Sequence, residues 1–350
     1  MSLPVTHALG AGSVVCVTGC GGFLASTLVS QLLARGCTVR GTLRDPGNAK
    51  KTAHLRALPG AAERLSFFQA DLTAADAAAR VAAAAAGASV LFHTACAFAS
   101  MDESKRLGLA FYERVAVDGT RAVLEACAAE GSTVERVVLT SSTAAIFKRL
   151  VPSPWTYTEA DWNDVDELAT REYWYAVGKT LQEKAAWAFV EERKPRFSLV
   201  CINPTLIGGR QLAPEVNTST QSVLDYLNGS KSKVPNAGIP WVDVKNVAEA
   251  HVAAAERRGA TGRFLMIDWW DACSDMAAAI RRVAPPALAA KVPTELDLAP
   301  GAQPLKAGAG INGHDSSRAA RELGIVYSGL DEIMRGSVES LIAHGFVSAE

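Results

Sequence analysis

The stretch VVCVTGCGGFLA, residues 14–25, decides the fold of this chain. Its first five residues are apolar or β-branched, which is typical of a buried strand. Glycines follow, and a helix-like run then begins in which Leu24, Leu28 and Leu32 recur at helical spacing. A strand, a glycine turn and a helix in this order predict the first unit of a dinucleotide-binding domain, in which the helix N-terminus binds a pyrophosphate.

Each small residue of this turn has its own part in the motif. Gly19 permits the tight turn, Gly22 lets the backbone approach a phosphate, and Ala25 keeps the helix close to the strand. Phe23 and Leu24 begin the helix and are expected to lie along the cofactor. A turn with a merely structural role is the alternative.

Short β-branched runs recur along the chain and alternate with helix-like segments, one of which covers residues 112–129. The runs cover residues 14–18, 38–43, 65–68, 90–92, 134–139, 197–202 and 264–267. Several are apolar throughout, as strands covered on both faces are. The alternation predicts an α/β protein of the Rossmann type, a doubly wound parallel sheet of about seven strands with its ligand at their carboxyl ends.

The remaining segments are richer in Pro, Gly, Asn and aromatic residues and lack this alternation. They lie at 151–172, 208–240 and 268–350, and we expect them to gather into a smaller, mainly C-terminal substrate lobe. The cofactor-binding core is then expected to cover residues 12–207, with residues 241–267 returning to it.

Composition and charge exclude several classes of function. Lys plus Arg number 35 and Asp plus Glu 36, so the net charge is −1 and nucleic acid is not an expected partner. No strongly apolar stretch reaches about 20 residues and no targeting pattern is present, so a cytoplasmic protein without a membrane span is expected. The histidines and cysteines lack metal-ligand spacing, so no metal is expected. A monomer and a homodimer both stay open.

The end of the second strand indicates which dinucleotide binds. Arg44 follows that strand directly, and Lys51 lies just beyond it. In dinucleotide folds an acid here binds the adenosine ribose of NAD, whereas a cation suits the 2′-phosphate of NADP, and the guanidinium fork matches a phosphate. Asp45 keeps the NAD alternative open, but the order of these residues favours NADP(H).

A candidate catalytic set follows the fifth strand. Ser142 lies at the end of that strand, and YAVGK at 175–179 places Tyr175 and Lys179 four residues apart on one helix face. With the glycine loop, the strand-end serine and Tyr-x-x-x-Lys in this order, the sequence resembles the extended short-chain dehydrogenases/reductases.

Within that superfamily the chain is most similar to a group of dihydroflavonol reductases, cinnamoyl-CoA reductases and microbial NADPH-dependent aldehyde and ketone reductases. The likeness spans residues 12–348. It includes the strings VRGTLRDP (39–46), VLTSS (138–142), NPTLIG (203–208), NTST (217–220) and WVDVKNVA (241–248). The resemblance implies a reductase that uses NADP(H) and a small-molecule carbonyl substrate.

The candidate residues account for the reduction of a carbonyl group. A hydride that reaches a carbonyl carbon leaves negative charge on the oxygen, which needs a proton donor and a second hydrogen bond. We expect Tyr175 to supply the proton and Ser142 to orient the oxygen. Lowering a phenol pKa by about three units takes roughly 4 kcal/mol of electrostatic help, and Lys179 is the nearby cation. The resemblance implies that Lys179 also binds the nicotinamide ribose.

The resemblance implies further cofactor contacts. Asp71 and Leu72 match an adenine-binding pair, although capping of the next helix by Asp71 is an alternative. The other matching positions are Thr94, Ala95 and Cys96 along the cofactor, and Pro204, Thr205, Leu206 and Ser219 near the nicotinamide and phosphates.

Departures from that group bear on the substrate. Phe147 stands where dihydroflavonol reductases carry a polar Asn or Asp, so a flavonoid diol would lose its partner. The segment YWYAVGK at 173–179 keeps the Trp of cinnamoyl-CoA reductases but not the flanking Asn or Cys-Tyr, so a CoA thioester is unsupported. Phe98, Phe147, Trp174 and Tyr226 are candidates to line an apolar pocket, with core packing as the alternative. We expect a hydrophobic or aromatic aldehyde or ketone.

Three other functions stay open. A cinnamoyl-CoA or dihydroflavonol reductase shares the motifs. A nucleotide-sugar epimerase or dehydratase shares the fold and Tyr-x-x-x-Lys but retains NAD, which Arg44 disfavours. A non-catalytic NADP-binding sensor on this fold would be expected to lack the tyrosine.

Overall fold

Seven parallel strands form the central sheet of the computed structural model, which describes residues 2–96, 101–148, 150–152, 154–305 and 312–349. The strands of the chain are β1 (Val14–Thr18), β2 (Thr38–Leu43), β3 (Leu65–Gln69), β4 (Val90–His93), β5 (Arg136–Thr140), β6 (Thr156–Tyr157), β7 (Ser198–Pro204), β8 (Leu206–Gly208), β9 (Val234–Pro235), β10 (Gly238–Asp243), β11 (Gly262–Met266), β12 (Trp269–Ala272), β13 (Leu296–Asp297) and β14 (Gly313–His314).

The central sheet has the order β3-β2-β1-β4-β5-β7-β11. The chain therefore moves outward from β1 in one direction through β3 and then crosses to the other side of β1 at β4. In a doubly wound sheet this reversal opens a crevice at the carboxyl ends of the strands, where ligands bind.

Helices cover both faces of this sheet. The helices of the described residues are α1 (Phe23–Ala34), α2 (Ala49–Arg56), α3 (Ala61–Arg64), α4 (Ala77–Ala85), α5 (Met101–Tyr112), α6 (Gly119–Ala128), α7 (Val165–Thr170), α8 (Trp174–Arg193), α9 (Thr218–Leu227), α10 (Val244–Glu256), α11 (Cys273–Val283), α12 (Pro286–Ala289) and α13 (Leu330–Ala343). On one face Leu28 of α1 and Val252 of α10 share an apolar cluster with the strands. On the other face Val81 of α4, Leu124 of α6 and Ala186 of α8 do so.

The predicted sheet is confirmed. All seven predicted runs are strands of the central sheet, and no strand end differs from its prediction by more than two residues. Residues 112–129 differ from the regular helix that their spacing indicates, because a π-helical turn, Glu113–Asp118, precedes α6. The wider turn accompanies a tertiary contact that spacing does not encode, since the rings of Tyr112 and Tyr175 meet edge to face with centroids 6.3 Å apart.

Smaller sheets lie outside the central one. β8, β10 and β12 form a three-stranded sheet, β9 pairs with β13, and β6 pairs with β14. Side chains of α9, α11 and α13 pack around the buried Trp241 of β10. Residues 241–243 belong to this small sheet, whereas α10 packs against α1 and β11 completes the central sheet. The division into a core and a substrate lobe stays a prediction.

The described residues contain neither a membrane-spanning helix nor a cluster of metal ligands. No helix among them is long and apolar enough to cross a membrane, and no group of three or more His, Cys, Asp or Glu side chains is placed to hold a metal ion. The seven cysteines, all within the described ranges, form no disulfide. Burial raises the pKa of Cys16 and of Cys20 to about 12, so these thiols stay protonated and unreactive.

Candidate active site

A cavity of about 690 Å³ opens at the carboxyl ends of the central strands. Ser142, Tyr175 and Lys179 all contribute to its wall. Its volume lies within the range of about 300–1,000 Å³ that is usual for small-molecule sites. The structure thus brings together the three side chains that the sequence singles out as a catalytic set, and places them where a doubly wound sheet binds its ligand.

Ser142 is fixed by the local backbone. It follows β5 and begins a short 3₁₀ helix, Thr143–Ala145, with its Oγ accepting a hydrogen bond from the N–H of Ala144 at 3.1 Å. A second hydrogen bond joins the side chains of Ser142 and Tyr175. The serine hydroxyl is therefore held against the phenol instead of turning freely.

Tyr175 is the second residue of α8 and keeps its proton in this surrounding. Burial of its hydroxyl raises the pKa of Tyr175 well above its usual value, and Cys96 adds to the rise, whereas the hydrogen bond with Ser142 lowers it. At neutral pH the group is a phenol with an O–H to donate. This is the protonation state that a proton donor needs before the reaction.

Lys179 lies one helical turn beyond Tyr175 and is 3% exposed. Its Nζ donates hydrogen bonds to the carbonyl oxygen of Thr140 at 3.0 Å and to Oε1 of Gln182 at 2.9 Å. An ammonium group has three N–H donors. Two of them bind protein acceptors, the described residues offer no third acceptor, and Lys179 lines the cavity.

Glu183 attaches α8 to β7, to β11 and to the residue that follows β5. Its carboxylate is fully buried and accepts hydrogen bonds from Ser141 Oγ at 2.6 Å and from Asn203 Nδ2 at 2.8 Å. It also forms an ion pair with Arg263, whose Nε lies 2.7 Å from Oε1. Ser141 precedes the candidate catalytic serine, so this carboxylate fixes the helix that carries Tyr175 relative to Ser142.

The glycine loop leaves the N-terminus of α1 open to an anion. Gly22 is the N-cap, makes no side-chain capping bond, and no acidic residue lies in the first turn. Phe23 and Leu24, the first residues of α1, line the cavity. Gly19 has a φ of +64°, and a Cβ there would lie 2.9 Å from the Cα of Ala95. Unpaired N–H groups at the end of a helix suit a pyrophosphate, so the loop fits a dinucleotide.

Arg44 and Asp71 lie at the same end of the sheet as this loop. Thr42 pairs with Thr18 in the sheet, which sets the exposed Arg44 at the strand end beside the glycine turn. Asp71 accepts hydrogen bonds from the N–H and the Oγ1 of Thr73, and these bonds lower the pKa of Asp71, with a smaller contribution from the charge of Arg44. Asp71 thus forms a local turn and does not cap α4, because Asp76 is the N-cap of that helix.

Lys51 borders the glycine loop but has a protein partner. A Cβ at Gly21 would lie 2.8 Å from the carbonyl oxygen of Lys51, and the ammonium group of Lys51 forms an ion pair with Glu215. The sequence carries no signal for Glu215, because the pair joins segments 164 residues apart. Glu215 precedes Asn217 and Ser219, which line the cavity.

Nine further residues that the sequence predicts as cofactor or substrate contacts line the cavity. They are Phe23, Leu24, Thr94, Cys96, Phe147, Pro204, Thr205, Leu206 and Ser219. Sequence reasoning missed several further lining residues, namely Thr140, Ser141, Thr143, Ala144, Ile207, Val216, Asn217, Thr218 and Pro240. Thr140 and Ser141 lie at the carboxyl end of β5 beside Ser142, and this strand-end position is the signal that could have identified them.

Two predicted substrate residues lie elsewhere. Tyr226 is 2% exposed and packs in the apolar cluster of α9, α11 and α13, so its prediction as a pocket residue is wrong. Trp174 is not among the cavity-lining residues of the described chain, because one residue of helix turns its side chain by about 100° away from that of Tyr175. Phe98 lies outside the described residues.

Phe147 belongs to an aromatic wall. Its ring stacks on Trp270 with centroids 4.9 Å apart and contacts Tyr157 at 4.7 Å. Trp270 continues the wall to His314, with centroids 5.8 Å apart. Phe147 is the member that lines the cavity, so the wall presents an apolar aromatic surface near the catalytic set.

Comparison with known proteins gives the family. The model of the NAD dependent epimerase/dehydratase family matches residues 15–267. The chain belongs to this family. It is 38% identical to cinnamoyl-CoA reductase CAD2 of Medicago truncatula over 333 residues, which cover 94% of this chain and 96% of that protein.

Solved structures of reductases share the fold. Yeast methylglyoxal/isovaleraldehyde reductase Gre2 complexed with NADPH has a TM-score of 0.79 at 25% identity and covers 94% of this chain and 98% of its own. Vestitone reductase from alfalfa, Medicago sativa, has a TM-score of 0.74 at 26% identity and covers 95% of this chain and 99% of its own. The comparisons confirm the resemblance drawn from the sequence and the expected class, an oxidoreductase of the NAD dependent epimerase/dehydratase family.

We predict that Glu183→Gln destabilises the protein. Removing one partner of a buried ion pair typically costs about 3–5 kcal/mol, because the other charge stays buried without compensation, and here that charge is Arg263. The free energy of unfolding in urea measures the loss. The control is Glu191→Gln, an exposed position on the same helix, which should change the unfolding free energy by less than about 0.5 kcal/mol. Equal stability of the two variants would contradict the structural role of Glu183.

Proposed function

We propose that this protein is an NADPH-dependent reductase that transfers a hydride to the carbonyl carbon of a hydrophobic or aromatic aldehyde or ketone. In this proposal Tyr175 donates the proton, Ser142 orients the carbonyl oxygen, and Lys179 lowers the pKa of Tyr175 and binds the nicotinamide ribose. The observation that carries the proposal is the hydrogen-bonded pair of Ser142 and Tyr175 in the cavity that also contains Lys179 and the start of α1.

NADPH, when bound, supplies the hydride. The open N–H groups at the start of α1 would hold its pyrophosphate, and Arg44 would bind the 2′-phosphate. Lys179 has one N–H left for the ribose hydroxyls. The other residues proposed to contact the cofactor are Gly19, Gly22, Phe23, Leu24, Lys51, Asp71, Leu72, Thr94, Ala95, Cys96, Pro204, Thr205, Leu206 and Ser219.

The protein side chains manage the charge on the carbonyl oxygen. As negative charge develops there, Ser142 and Tyr175 offer two hydrogen bonds to it, and Tyr175 gives up its proton. Burial raises the pKa of Tyr175 and so opposes that loss. The positive charge of Lys179, one helical turn away, favours the phenolate and acts in the opposite direction. The two effects together keep the phenol protonated before the reaction and allow it to ionise during the reaction.

The cavity wall supports an apolar carbonyl compound. Phe147 brings the aromatic wall to the catalytic set, and Leu206, Ile207 and Val216 add aliphatic surface. Hydroxyl groups are concentrated around Ser142. Such a site orients a substrate through one polar end and accepts an apolar remainder.

A second candidate is the reduction of a cinnamoyl-CoA thioester. Identity of 38% over 94% of the chain to a cinnamoyl-CoA reductase favours it. Assays with NADPH on simple aldehydes and ketones and on cinnamoyl-CoA, followed by absorbance at 340 nm, separate the two. Purified protein that retains stoichiometric NAD and consumes no NADPH would instead indicate an epimerase or dehydratase.

We predict that Tyr175→Phe abolishes the proton donor and leaves the cofactor site intact. The turnover number should fall by at least about a hundredfold, the usual scale of general acid catalysis, while NADPH binding measured by fluorescence titration stays near that of the wild type. Tyr226→Phe is the matched control, because Tyr226 lies in the apolar cluster of α9, α11 and α13, and it should retain wild-type turnover. A Tyr175→Phe variant with near wild-type turnover would refute the role of the tyrosine.

We predict that Arg44→Ala weakens NADPH binding much more than NADH binding. A charge-assisted bond to the 2′-phosphate contributes about 1.5–3 kcal/mol, which corresponds to roughly tenfold or more in the dissociation constant, and NADH has no such phosphate. Titration of both cofactors measures the ratio. Lys50→Ala, at an exposed position near Lys51, is the control and should leave the ratio unchanged. Equal losses for both cofactors would show that Arg44 does not contact the phosphate.

A further inference from the structure

A buried chain of polar side chains connects Lys179 with the glycine loop. Gln182 accepts a hydrogen bond from Lys179 at 2.9 Å and donates one to Thr120 Oγ1 at 2.8 Å. Thr120 Oγ1 lies 3.0 Å from His93 Nε2, and His93 Nδ1 lies 2.8 Å from Thr18 Oγ1. All five side chains are at most 3% exposed. Thr18 directly precedes Gly19, so the chain runs from Lys179 at the cavity wall to the glycine loop.

Chemistry determines the orientation of the Gln182 amide. An ammonium group only donates hydrogen bonds, so the amide oxygen must face Lys179 and the amide nitrogen must face Thr120. The acceptor that Lys179 needs is thus held in place by a second bond on the far side of the amide. Gln182 lies three residues after Lys179, which places both side chains on one helix face.

His93 is a neutral member of this chain at neutral pH. Burial lowers the pKa of His93 to about 3, and the charge of Lys179 contributes, so the imidazole is neutral. The charge of Lys179 acts on His93 of β4 and on Cys201 of β7. Along α8, Tyr175 lies one turn before Lys179, and Glu183, which pairs with Arg263 of β11, lies one turn after it. Glu183 and Arg263 compensate each other, and burial raises the pKa of Cys201 far above neutrality.

We propose that Gln182 is a positioning residue for the reaction, which holds the ammonium group of Lys179 at the cavity wall and couples it through Thr120, His93 and Thr18 to the glycine loop. This inference rests on the proposed function, in which Lys179 acts on Tyr175 and on the ribose. The chain is not a path for proton transfer, because the neutral amide of Gln182 does not readily take up or release a proton. Its effect is to keep a flexible lysine side chain at one distance from Tyr175.

Two substitutions of Gln182 test the proposal in different ways. Gln182→Leu removes both amide hydrogen bonds at similar size, and should lower the turnover number by about ten- to a hundredfold, the scale of a misplaced catalytic group. Gln182→Glu places a carboxylate against Lys179, which cancels part of its positive charge as felt by Tyr175. Oxidation of the alcohol product with NADP⁺ requires ionised Tyr175, so its pH midpoint should rise by about one pH unit or more in the Glu variant.

Controls separate positioning from damage to the fold. The control variant is Gln31→Leu. It removes a hydrogen bond from the side chain of Gln31 on α1 to the carbonyl oxygen of Lys245 on α10, and it should change neither the turnover number nor the pH midpoint. Unchanged turnover in Gln182→Leu would overturn the proposal, and so would an unchanged pH midpoint in Gln182→Glu, since a structural defect alone moves no midpoint. If the wild type reduces no carbonyl compound, or if Lys179→Met retains full activity, the proposed function itself fails.

Discussion

The site depends on the hydrogen bonds and the ion pair that the buried carboxylate of Glu183 forms. It lies on α8, two turns beyond Tyr175, and binds Ser141 at the end of β5, Asn203 on β7 and Arg263 on β11. Burying a carboxylate away from water costs free energy unless several hydrogen-bond donors compensate its charge. The donors here come from β7, from β11 and from the residue that follows β5, so the requirement to satisfy one charge sets the position of the helix. Tyr175 is thereby placed against Ser142.

The same helix presents a phenol and an ammonium group to the cavity, and each is held by a different part of the protein. Ser142 bonds to the phenol, whereas Thr140 and Gln182 hold the ammonium group. Neither group depends on a mobile side chain at the surface. Such preorganisation means that little reorientation is needed when charge develops on a bound carbonyl oxygen. Across the cavity, the uncapped N-terminus of α1 supplies the positive end of a helix to the anionic part of a dinucleotide.

Local patterns predicted those parts of the molecule that local physics determines. The strands follow from continuous apolar runs, the cofactor loop follows from glycines between a strand and a helix, and Tyr175 and Lys179 share a face because they are four residues apart. The networks around Glu183 and Gln182, and the pair of Lys51 with Glu215, join residues distant in sequence and leave no periodic trace. The prediction of Tyr226 as a pocket residue is wrong because an aromatic side chain in a core and one in a pocket have the same local sequence pattern. The π-helical turn before α6 was not predicted for a related reason. It accompanies a contact with α8, which the spacing of residues 112–129 does not encode.

The most direct test of the account is to follow the hydride itself. NADPH deuterated at C4 of the dihydronicotinamide ring is incubated with the protein and an aromatic aldehyde, and the alcohol is analysed by mass spectrometry and proton NMR. The account predicts one deuterium on the carbinol carbon and an equal amount of NADP⁺, and predicts that the Tyr175→Phe variant forms little of this product. Tight binding of NADPH without any deuterated alcohol from aldehydes or ketones, and without deuterated aldehyde and free CoA from cinnamoyl-CoA, would contradict the claim that this site is a carbonyl reductase.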